Sequence, residues 1–279
     1  MRNFAIGCVV LFTMAGTACN KDSKPAEPGK APQESGVDSK TKSLLKELAV
    51  DLGGGVKLEV VLVPAGSFTM GDDSEKPAHK VTITKPFYLG KYEVTQEQWE
   101  AVMGNNPSRF KGPKNPVDTV SWDACQAFLV KLNAKTGAQG GKFVLPTEAQ
   151  WEYACRAGST GKFCFGDDEK QLGDYAWYGA NSESETHPVG GKKANAFGLY
   201  DMHGNVWEWC QDWYGAYGAE AVTDPSGPTT GSVRVRRGGG WFGVGRSCQS
   251  ACRYFGPGRR GGGLVVLHIF SCFPRRTRY

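Results

Sequence analysis

Glycine accounts for 38 of the 279 residues, and this abundance limits the regular structure that the chain can form. A glycine inside a helix costs about 1 kcal/mol relative to alanine, whereas glycine is favoured in tight turns and where two backbones approach closely. Eight tryptophans supply large rings that can fill the spaces between such turns. We therefore expect short elements joined by many loops, without long helices.

The first 18 residues have the features of an export signal. Arg2 provides a positive start, an apolar stretch follows from Phe4, and small residues precede Cys19. We interpret residues 1–18 as a signal peptide and Cys19 as the site of lipid attachment. This interpretation predicts a membrane-anchored lipoprotein of the cell envelope, on its periplasmic or extracellular face. Ordinary secretion is the alternative, because Gly16 occupies a position where leucine is usual in lipoprotein signals.

Residues 19–48 are predicted to connect this anchor to the folded domain. The polar, proline-containing stretch 20–40 has almost no large apolar residues and cannot bury a core, so we expect it to be disordered. Leucines recur at helical spacing within 41–50, which predicts a short helix there. The folded domain is predicted to span residues 49–279.

Arginine is concentrated towards the C-terminus. The net charge is +5, yet residues 233–279 contain ten arginines and no Asp or Glu. A basic end can indicate a nucleic acid or an anionic surface as partner. We favour internal hydrogen bonding by these arginines, and expect no nucleic-acid partner, because an exported protein seldom meets nucleic acid. No apolar run of about 18 residues follows the N-terminal segment, so no internal membrane span is predicted.

Local patterns predict several strands and three helices. Alternation of apolar and polar residues predicts strands over the segments 57–63, 65–71, 79–84 and 87–89. Thr95 and Thr147 are each followed three residues later by Gln, the spacing of a capping box, and each predicts the start of a helix. A third helix is predicted over 122–133, where apolar residues recur every four positions.

Six sequence words stand in a fixed order along the chain. They are VPAGSFTMG at 63–71, YEVT at 92–95, PV leading to VSW at 116–122, LPTEAQWEYA at 145–154, NAFGLYDMHGNVWEW at 195–209, and RGGGW at 237–241. Together they resemble the formylglycine-generating-enzyme, or sulfatase-modifying-factor, family from Val56 to Arg253. The resemblance implies a single α+β domain of the C-type-lectin-like kind, with little regular secondary structure.

The resemblance also implies a calcium site in the longest of these words. Asp201 and Glu208 supply carboxylate oxygens, and Gly204 permits a tight turn that directs carbonyls inward, which suits Ca²⁺. The family's calcium ligands correspond to Asp201, Glu208 and the carbonyls of Gly204 and Val206. A structural turn with solvent-facing acids is the alternative interpretation. In either case we expect the turn to hold loops together rather than to carry chemistry.

Seven cysteines lie in the predicted domain, so at least one thiol is free or pairs outside the chain. They are Cys125, Cys155, Cys164, Cys210, Cys248, Cys252 and Cys272. The resemblance implies a disulfide from Cys155 to the C-terminal region, with Cys248 as the first candidate partner and Cys252 as the second. Two buried thiols are the alternative. No CxxC pair is present, so a structural zinc site is not expected.

The family's copper-dependent oxidation is where the match fails. The resemblance implies two cysteines that hold copper(I), because thiolates select that ion, and a serine beside them. Here Gly240 occupies the serine position and Gly243 the first cysteine position, so Cys248 alone is retained as a candidate catalytic residue. A shifted pair of Cys248 and Cys252 on one helix face is a further possibility. The four histidines are isolated, and His203 is interpreted as a structural hydrogen-bonding residue.

Three functions remain open on the sequence. The first, which we favour because Gly240 and Gly243 replace the catalytic residues, is a non-catalytic binding or scaffold module for a peptide or another envelope protein; we expect a monomer. The second is a copper-dependent oxidase that converts a substrate cysteine to formylglycine with Cys248 as the surviving ligand. The third is another chemistry that uses Cys210 or Cys164.

The C-terminal end, residues 259–279, lacks the Gly-Phe-Arg strand with which the family usually closes. Divergence or a shifted reading frame would explain this, so a closing strand is doubtful.

Overall fold

A computed structural model describes residues 46–137 and 141–257 with their side chains, and the backbone of residues 265–266 and 270–272. The chain divides into two units, residues 1–42 and 43–279, and all the described residues belong to the second. The predicted signal peptide, the lipidation site Cys19 and nearly all of the linker lie outside the described residues. In the described part of the chain, no helix has the length and apolar character needed to cross a membrane.

The largest sheet has five strands, and a strand from near the C-terminus lies between strands from the N-terminal half of the domain. Its strands are β1 (Glu47–Asp51), β2 (Lys57–Val63), β5 (Phe87–Gly90), β14 (Phe270–Cys272) and β6 (Lys142–Val144), in the order β1-β2-β5-β14-β6. All neighbouring pairs are antiparallel. The strand near the C-terminus therefore lies in the interior of a sheet that the N-terminal strands begin.

Three smaller sheets complete the domain. Their strands are β3 (Gly66–Met70), β4 (His79–Ile83), β7 (Ala176–Trp177), β8 (His203–Gly204), β9 (Trp207–Trp213), β10 (Val222–Thr223), β11 (Arg234–Arg237), β12 (Tyr254–Gly256) and β13 (Val265–Val266). The strand orders are β10-β4-β3, β12-β11-β9-β13 and β7-β8. Strand β9 brings the predicted calcium turn into contact with β11, which leads into the RGGGW segment.

Four helices are described, and the two capping boxes are confirmed. The helices are α1 (Gln96–Met103), α2 (Trp122–Thr136), α3 (Glu148–Arg156) and α4 (Leu172–Tyr175). Thr95 accepts a hydrogen bond from the amide of Gln98, and Thr147 accepts one from Gln150, while each glutamine side chain bonds back to its cap. Each box satisfies amide groups that a helix start otherwise leaves unpaired.

Two predictions about the ends of the domain were wrong. The segment predicted as a helix over 41–50 instead contributes strand β1, which begins at Glu47, two residues before the predicted domain boundary. Its side chains alternate between exposed and half-buried because β1 pairs with β2 along one edge of the sheet. The doubtful closing strand does exist as β14, whose backbone pairs with both β5 and β6.

The core consists of two large apolar clusters and a small one. In the first cluster, the rings of Trp99 on α1 and Phe128 on α2 stack with centroids 4.9 Å apart. In the second, Trp151 of α3 is fully buried against strands of the smaller sheets. Tryptophans that the sequence supplies at helix positions therefore fill the spaces between short elements, as their abundance predicted.

Four of the five described C-terminal arginines, Arg234, Arg236, Arg237 and Arg253, form internal hydrogen bonds, as the favoured interpretation expected, whereas Arg246 is exposed. Arg237 is fully buried and forms ion pairs with Glu152 and with Glu148, the latter at 3.2 Å. It also donates hydrogen bonds to the carbonyls of Ser250 and Cys252. Arg253 donates two hydrogen bonds to Glu148, at 2.6 and 2.8 Å. The arginines thus join α3 to the segments that follow β11.

Asp212 makes the stability of this region depend on pH. Burial, together with the nearby charge of Glu148, raises the pKa of Asp212 from 3.8 to about 7, against the opposing effects of Arg253 and the Glu148 amide. The folded state therefore binds more protons than the unfolded state between these pH values. We expect the free energy of unfolding to be largest near pH 4 and to fall by roughly 2–4 kcal/mol as the pH rises through 7.

The variant Asp212→Asn tests this expectation, since an amide oxygen can still accept the hydrogen bond from the Glu148 amide. Urea unfolding from pH 4 to pH 8 should show a flatter profile in Asp212→Asn than in the wild type. The exposed Glu100→Gln is the control and should keep the wild-type slope. Identical slopes in Asp212→Asn and the wild type would show that Asp212 does not titrate in this range.

Candidate functional site

The predicted calcium turn is held in a conformation that few residue types adopt. Asp201, Gly204 and Asn205 all have positive φ, at 59°, 91° and 55°. A Cβ atom at Gly204 would lie 2.3 Å from the carbonyl oxygen of Trp177, so only glycine fits at that position. The turn closes because Gly204 donates a 2.7 Å hydrogen bond to the carbonyl of Gly238. Strand β11 therefore fixes the shape of this turn.

Both predicted carboxylate ligands of the turn are buried rather than solvent-facing. Asp201 is 3% exposed and accepts a 2.8 Å hydrogen bond from the amide of Gly190. Glu208 is fully buried, and one of its oxygens accepts a 2.7 Å hydrogen bond from the indole of Trp151. The alternative of solvent-facing acids is therefore wrong for this turn.

A third buried carboxyl group, Glu93, lies beside the turn and was not assigned a role from the sequence. It accepts hydrogen bonds from the side-chain amide of Asn205 at 2.8 Å and from the backbone amide of Val206 at 3.2 Å. Burial raises the pKa of Glu93 well above its ordinary value, and the charges of Asp201 and Glu208 raise it further. Its place in the YEVT word was the available signal, since that word is shared with the resembling family.

These residues fit a hard divalent cation by their chemistry. Asp201 and Glu208 place buried carboxylate oxygens next to a turn whose glycine has no space for a side chain, and Glu93 adds a third buried carboxyl group beside them. Among the described residues, no three His, Cys, Asp or Glu side chains are arranged as a metal centre. A calcium ion here would therefore need backbone carbonyls, those of Gly204 and Val206 in the resembling family, to complete its ligands.

The segment after β11 contains the two glycines at the family's catalytic positions. A Cβ at Gly240 would have its nearest contact at 3.4 Å, the Cδ1 atom of Trp207, which is ordinary van der Waals contact. A Cβ at Gly243 would lie 3.1 Å from the hydroxyl of Ser247 and 3.2 Å from the carbonyl oxygen of Gly240, so a side chain there requires a shift of a few tenths of an ångström. Neither glycine has a positive φ. The local backbone therefore accommodates the family's serine, and its cysteine after that small shift, although the sequence lacks them.

Cys248 is fully buried at the end of a 3₁₀ turn that spans Gly245–Cys248. Burial raises the pKa of the Cys248 thiol above its ordinary value, and the nearby thiols of Cys252 and Cys155 raise it further. Residues 248–252 do not form the helix considered for the shifted pair, because the 3₁₀ turn ends at Cys248 and strand β12 begins at Tyr254, although the thiols of Cys248 and Cys252 are near one another. The Gly-rich backbone before the turn does not continue as a helix.

Copper(I) does not fit this arrangement. The thiolate is the form that binds the ion, whereas burial favours the protonated thiol at Cys248. Gly243 provides no second sulfur at the family's position. We therefore derive no chemical step that involves copper, and the role of Cys248 as a metal ligand stays a prediction.

The predicted partners of the disulfide are both buried and both unpaired in the structure. The sulfur of Cys155 lies 3.6 Å from the hydroxyl of Ser250, and burial raises the pKa of this thiol to about 12. Cys125, Cys164, Cys210 and Cys252 are also free thiols. The Cys155–Cys248 bond is thus not formed here, and the pairing stays a prediction that a thiol count can test.

His203 has the structural role that the sequence suggested. It is 2% exposed, and its Nδ1 lies 2.7 Å from the carbonyl oxygen of Cys248. Its Nε2 accepts a hydrogen bond from the backbone amide of Cys164 at 3.2 Å, so the ring proton belongs on Nδ1. The ring therefore connects the loop at Cys164 to the 3₁₀ turn that carries Cys248.

A run of aromatic side chains crosses the surface beside Gly240. Phe242, Tyr254 and Phe255 are 53%, 52% and 46% exposed, which is unusual for such large rings. The rings form two groups that flank Gly240, one of Phe110, Trp241 and Phe242 and the other of Trp207, Tyr254, Phe255 and Tyr214. Within each group, neighbouring ring centroids are 4.9 to 5.6 Å apart. We call this run the aromatic strip, and its members are Phe110, Trp207, Tyr214, Trp241, Phe242, Tyr254 and Phe255.

The strip passes over the position where the family has its serine. A Cβ at Gly240 would lie 3.4 Å from Trp207 and 3.6 Å from the ring of Phe242, so Gly240 separates two members of the strip. At the far end, Phe110 meets Trp241 edge to face at 5.4 Å. Trp207 and Trp241 stand in two of the sequence words, but the sequence did not indicate that these rings meet, because they come from β9, β12 and separate loops.

Comparisons with known proteins identify the family. The profile of the sulfatase-modifying factor enzyme 1-like domain matches residues 55–262. The chain therefore belongs to this family, which includes the formylglycine-generating enzymes, and the resemblance in its sequence words is confirmed. The fold prediction of an α+β domain is confirmed as well, since the solved structures that it resembles share this architecture.

Individual relatives differ in what their names describe. The chaperone protein LppX of Paenibacillus barcinonensis is 35% identical over 232 residues, 66% of this chain and 78% of the relative. The formylglycine-generating enzyme of Streptomyces coelicolor is 30% identical over 255 residues, 65% of this chain and 78% of the relative. The family thus contains both an enzyme and a protein named for chaperone action.

Two solved structures show the same fold over nearly their whole length. Treponema denticola variable protein 1 superposes with a TM-score of 0.76 at 32% identity, covering 83% of this chain and 100% of that one. PvdO from Pseudomonas aeruginosa superposes with a TM-score of 0.67 at 27% identity, covering 82% of this chain and 99% of that one. Nearly the whole length of each of these two structures therefore has a counterpart in this chain.

Proposed function

We propose that this chain is a non-catalytic binding module of the sulfatase-modifying-factor family that engages a peptide or protein through its aromatic strip. The observation that carries the proposal is the replacement of the family's serine and cysteine by Gly240 and Gly243, next to exposed aromatic rings. The surface around positions 240 and 243 is present although the reactive side chains are not, and it carries the exposed rings of the aromatic strip.

The aromatic composition of the strip indicates that the partner contacts it with an apolar surface. Tyrosine, tryptophan and phenylalanine are enriched at protein interfaces, and exposed contiguous aromatics mark interaction sites more often than isolated apolar residues do. Burial of a single exposed ring stabilises a complex by about 1.5–3 kcal/mol. Phe242 lies on one side of Gly240, and Tyr254 and Phe255 lie on the side of Trp207, so a partner segment that covers all three rings must cross Gly240.

The location proposed for this module is the cell envelope, with attachment through lipidated Cys19. The proposal rests on the apolar N-terminal stretch and the polar segment that follows it. The name of the LppX relative is consistent with a lipoprotein. Metabolic labelling with a fatty-acid analogue, in the wild type and in Cys19→Ser, tests the attachment; label retained in Cys19→Ser would contradict it.

Truncation of rings in the strip should weaken partner binding without unfolding the domain. We expect Phe242→Ala and Tyr254→Ala each to weaken binding about tenfold or more, because each removes a ring that the partner covers. The measurement is affinity for peptides selected from a random display library on the immobilised domain. Val130→Ala is the control, since Val130 is 71% exposed on α2 and lies outside the strip.

Two results would contradict the proposal. Peptides that bind equally well to both strip variants would show that the strip is not the binding surface. Conversion of a cysteine-containing sulfatase-type peptide to formylglycine by the purified wild type would show that the chain is an enzyme.

We also propose that calcium stabilises the turn at Asp201 and Glu208. The buried carboxylates and the constrained Gly204 support this, as described above. Saturation at 100 times the dissociation constant stabilises a folded protein by about 2.7 kcal/mol. Thermal unfolding should therefore shift to a higher midpoint in millimolar Ca²⁺ than in EDTA, and Asp201→Asn should lose most of that shift. Equal midpoints in Ca²⁺ and EDTA would argue against the site.

The second candidate function is the copper-dependent oxidase. Two observations support it: Cys248 occupies a family cysteine position, and the sequence is 30% identical to the formylglycine-generating enzyme of Streptomyces coelicolor over 255 residues. Burial of Cys248 and the missing sulfur at Gly243 weigh against it. Detection of formylglycine in a peptide after incubation with copper-loaded protein would favour this candidate over the binding module.

A further inference from the structure

We infer that a charged cavity away from the aromatic strip binds a small zwitterion of about dipeptide size. The cavity has a volume of about 370 Å³, within the range of small-molecule sites. Three loops form it, at residues 72–74, 160–167 and 246–249. Its charged lining residues are Asp72, Asp73, Lys162, Asp167 and Arg246. None of the strip residues lines it.

A buried ion pair of helix α3 holds two of these loops in place. Glu152 accepts a 2.9 Å hydrogen bond from the amide of Gly71, directly before the first loop. Arg156, which is 4% exposed, pairs with Glu152 and donates to the carbonyls of Gly71 at 3.2 Å and Gly161 at 2.9 Å. The first and second loops are therefore fixed to one another beneath the cavity.

The third loop is attached to the second in a similar way. The amide of Ser250 donates a 2.8 Å hydrogen bond to the carbonyl of Lys162. Within the second loop, a Cβ at Gly161 would lie 2.8 Å from the backbone of Gly166, so this hairpin is tightly closed. The cavity is thus formed before any ligand arrives, which reduces the entropy lost on binding.

Two of the lining aspartates already have partners: Asp73, whose side chain is fully exposed, lies 3.7 Å from Lys76, and Asp167 accepts a 2.8 Å hydrogen bond from the backbone amide of Lys162. In the described part of the chain, Lys162 and Arg246 form no ion pair, although three aspartates line the same space. Asp72 is kept ionised because three hydrogen bonds from Ser74 and Glu75 reach its Oδ1. Its other carboxylate oxygen is not used in those bonds.

This arrangement selects a ligand that carries both charges. An ammonium group matches Asp72 and Asp167, while a carboxylate matches Arg246 and Lys162, because guanidinium and ammonium groups bind carboxylates with charge-assisted hydrogen bonds. A ligand with a single charge would leave one set of lining groups unmatched. The cavity volume allows a dipeptide, whose two termini are separated by its backbone.

The test compares three forms of one probe with the full mature chain. Alanyl-alanine, its N-acetyl form and its C-terminal amide are titrated by isothermal calorimetry or ligand-observed NMR. We expect the zwitterion to bind at least fivefold more tightly than either blocked form. Equal binding of the three forms, or no binding of the zwitterion at 20 mM (about the weakest affinity of use here), would overturn the inference.

Two variants separate the charges. Arg246→Gln should weaken the zwitterion and the N-acetyl form but leave the amide unchanged, whereas Asp72→Asn should weaken the zwitterion and the amide only. Lys80→Gln and Glu100→Gln remove exposed charges outside the cavity and should change nothing. Thermal unfolding confirms that each variant is folded. If Arg246→Gln weakens all three forms alike, the assignment of the carboxylate to this side is wrong.

Discussion

The variant Arg237→Met should lose about 3–5 kcal/mol of unfolding free energy. Arg237 is fully buried between Glu148 and Glu152, so its removal leaves two buried carboxylates with one cationic partner fewer. Removal of one partner from a buried ion pair typically costs this amount, because the remaining charge cannot be solvated. The carbonyls of Ser250 and Cys252 also lose their donor. Urea unfolding monitored by tryptophan fluorescence measures the loss.

The matched control is an exposed ion pair. Lys76 and Asp73 lie 3.7 Å apart on the surface, with side chains 68% and 107% exposed. Lys76→Met should change the unfolding free energy by less than about 1 kcal/mol, since such pairs contribute little. A similar small change in Arg237→Met would show that the buried network does not stabilise the domain.

The double variant Gly240→Ser with Gly243→Cys should gain tight copper(I) binding that the wild type lacks. The backbone has room for a side chain at position 240, where the nearest Cβ contact is 3.4 Å, and at position 243 after a small local shift, since a Cβ there lies 3.1 Å from Ser247 and 3.2 Å from the carbonyl oxygen of Gly240. A second sulfur at position 243 would provide, with Cys248, the thiolate pair that selects copper(I). We expect an increase in affinity of at least about a thousandfold, or about 4 kcal/mol. Competition against a chromogenic copper(I) chelator in the reduced protein measures it.

The single variant Gly240→Ser is the control, because it adds no sulfur. It should bind copper(I) no better than the wild type. Further replacement of Cys248 by serine in the double variant should abolish the gain. A double variant that binds no copper(I), although it folds normally, would show that Cys248 is too deeply buried to serve as a ligand.

The sequence predicted much of the fold because its local signals are strong. The capping boxes at Thr95 and Thr147 place two helix starts at their observed residues, and alternation predicts strands β2 to β5. The helix predicted over 41–50 failed because a short leucine spacing cannot tell a helix from an edge strand. The segment forms a strand because it pairs with β2. The spacing of apolar residues within the segment carries no information about that pairing.

The candidate site was predictable only in part. Asp201 and Glu208 were recognised from a sequence word, and both lie buried at one turn. Glu93 was missed because it reaches that turn from more than a hundred residues away, through Asn205 and Val206. The aromatic strip was missed for the same reason, since its rings come from several loops and from β12. Proximity of distant segments is a property of the tertiary structure alone.

The position of strand β14 has a consequence for how the domain is made. Residues 270–272 lie between β5 and β6, so the largest sheet cannot close until nearly the whole chain is available. During synthesis, the edges of β5 and β6 that pair with β14 stay unpaired until β14 has been made. Unpaired strand edges favour association with other chains. If the chain is exported, it crosses the membrane unfolded, and the sheet forms only afterwards. Strand β14 is then already available to pair with β5 and β6 when the sheet forms.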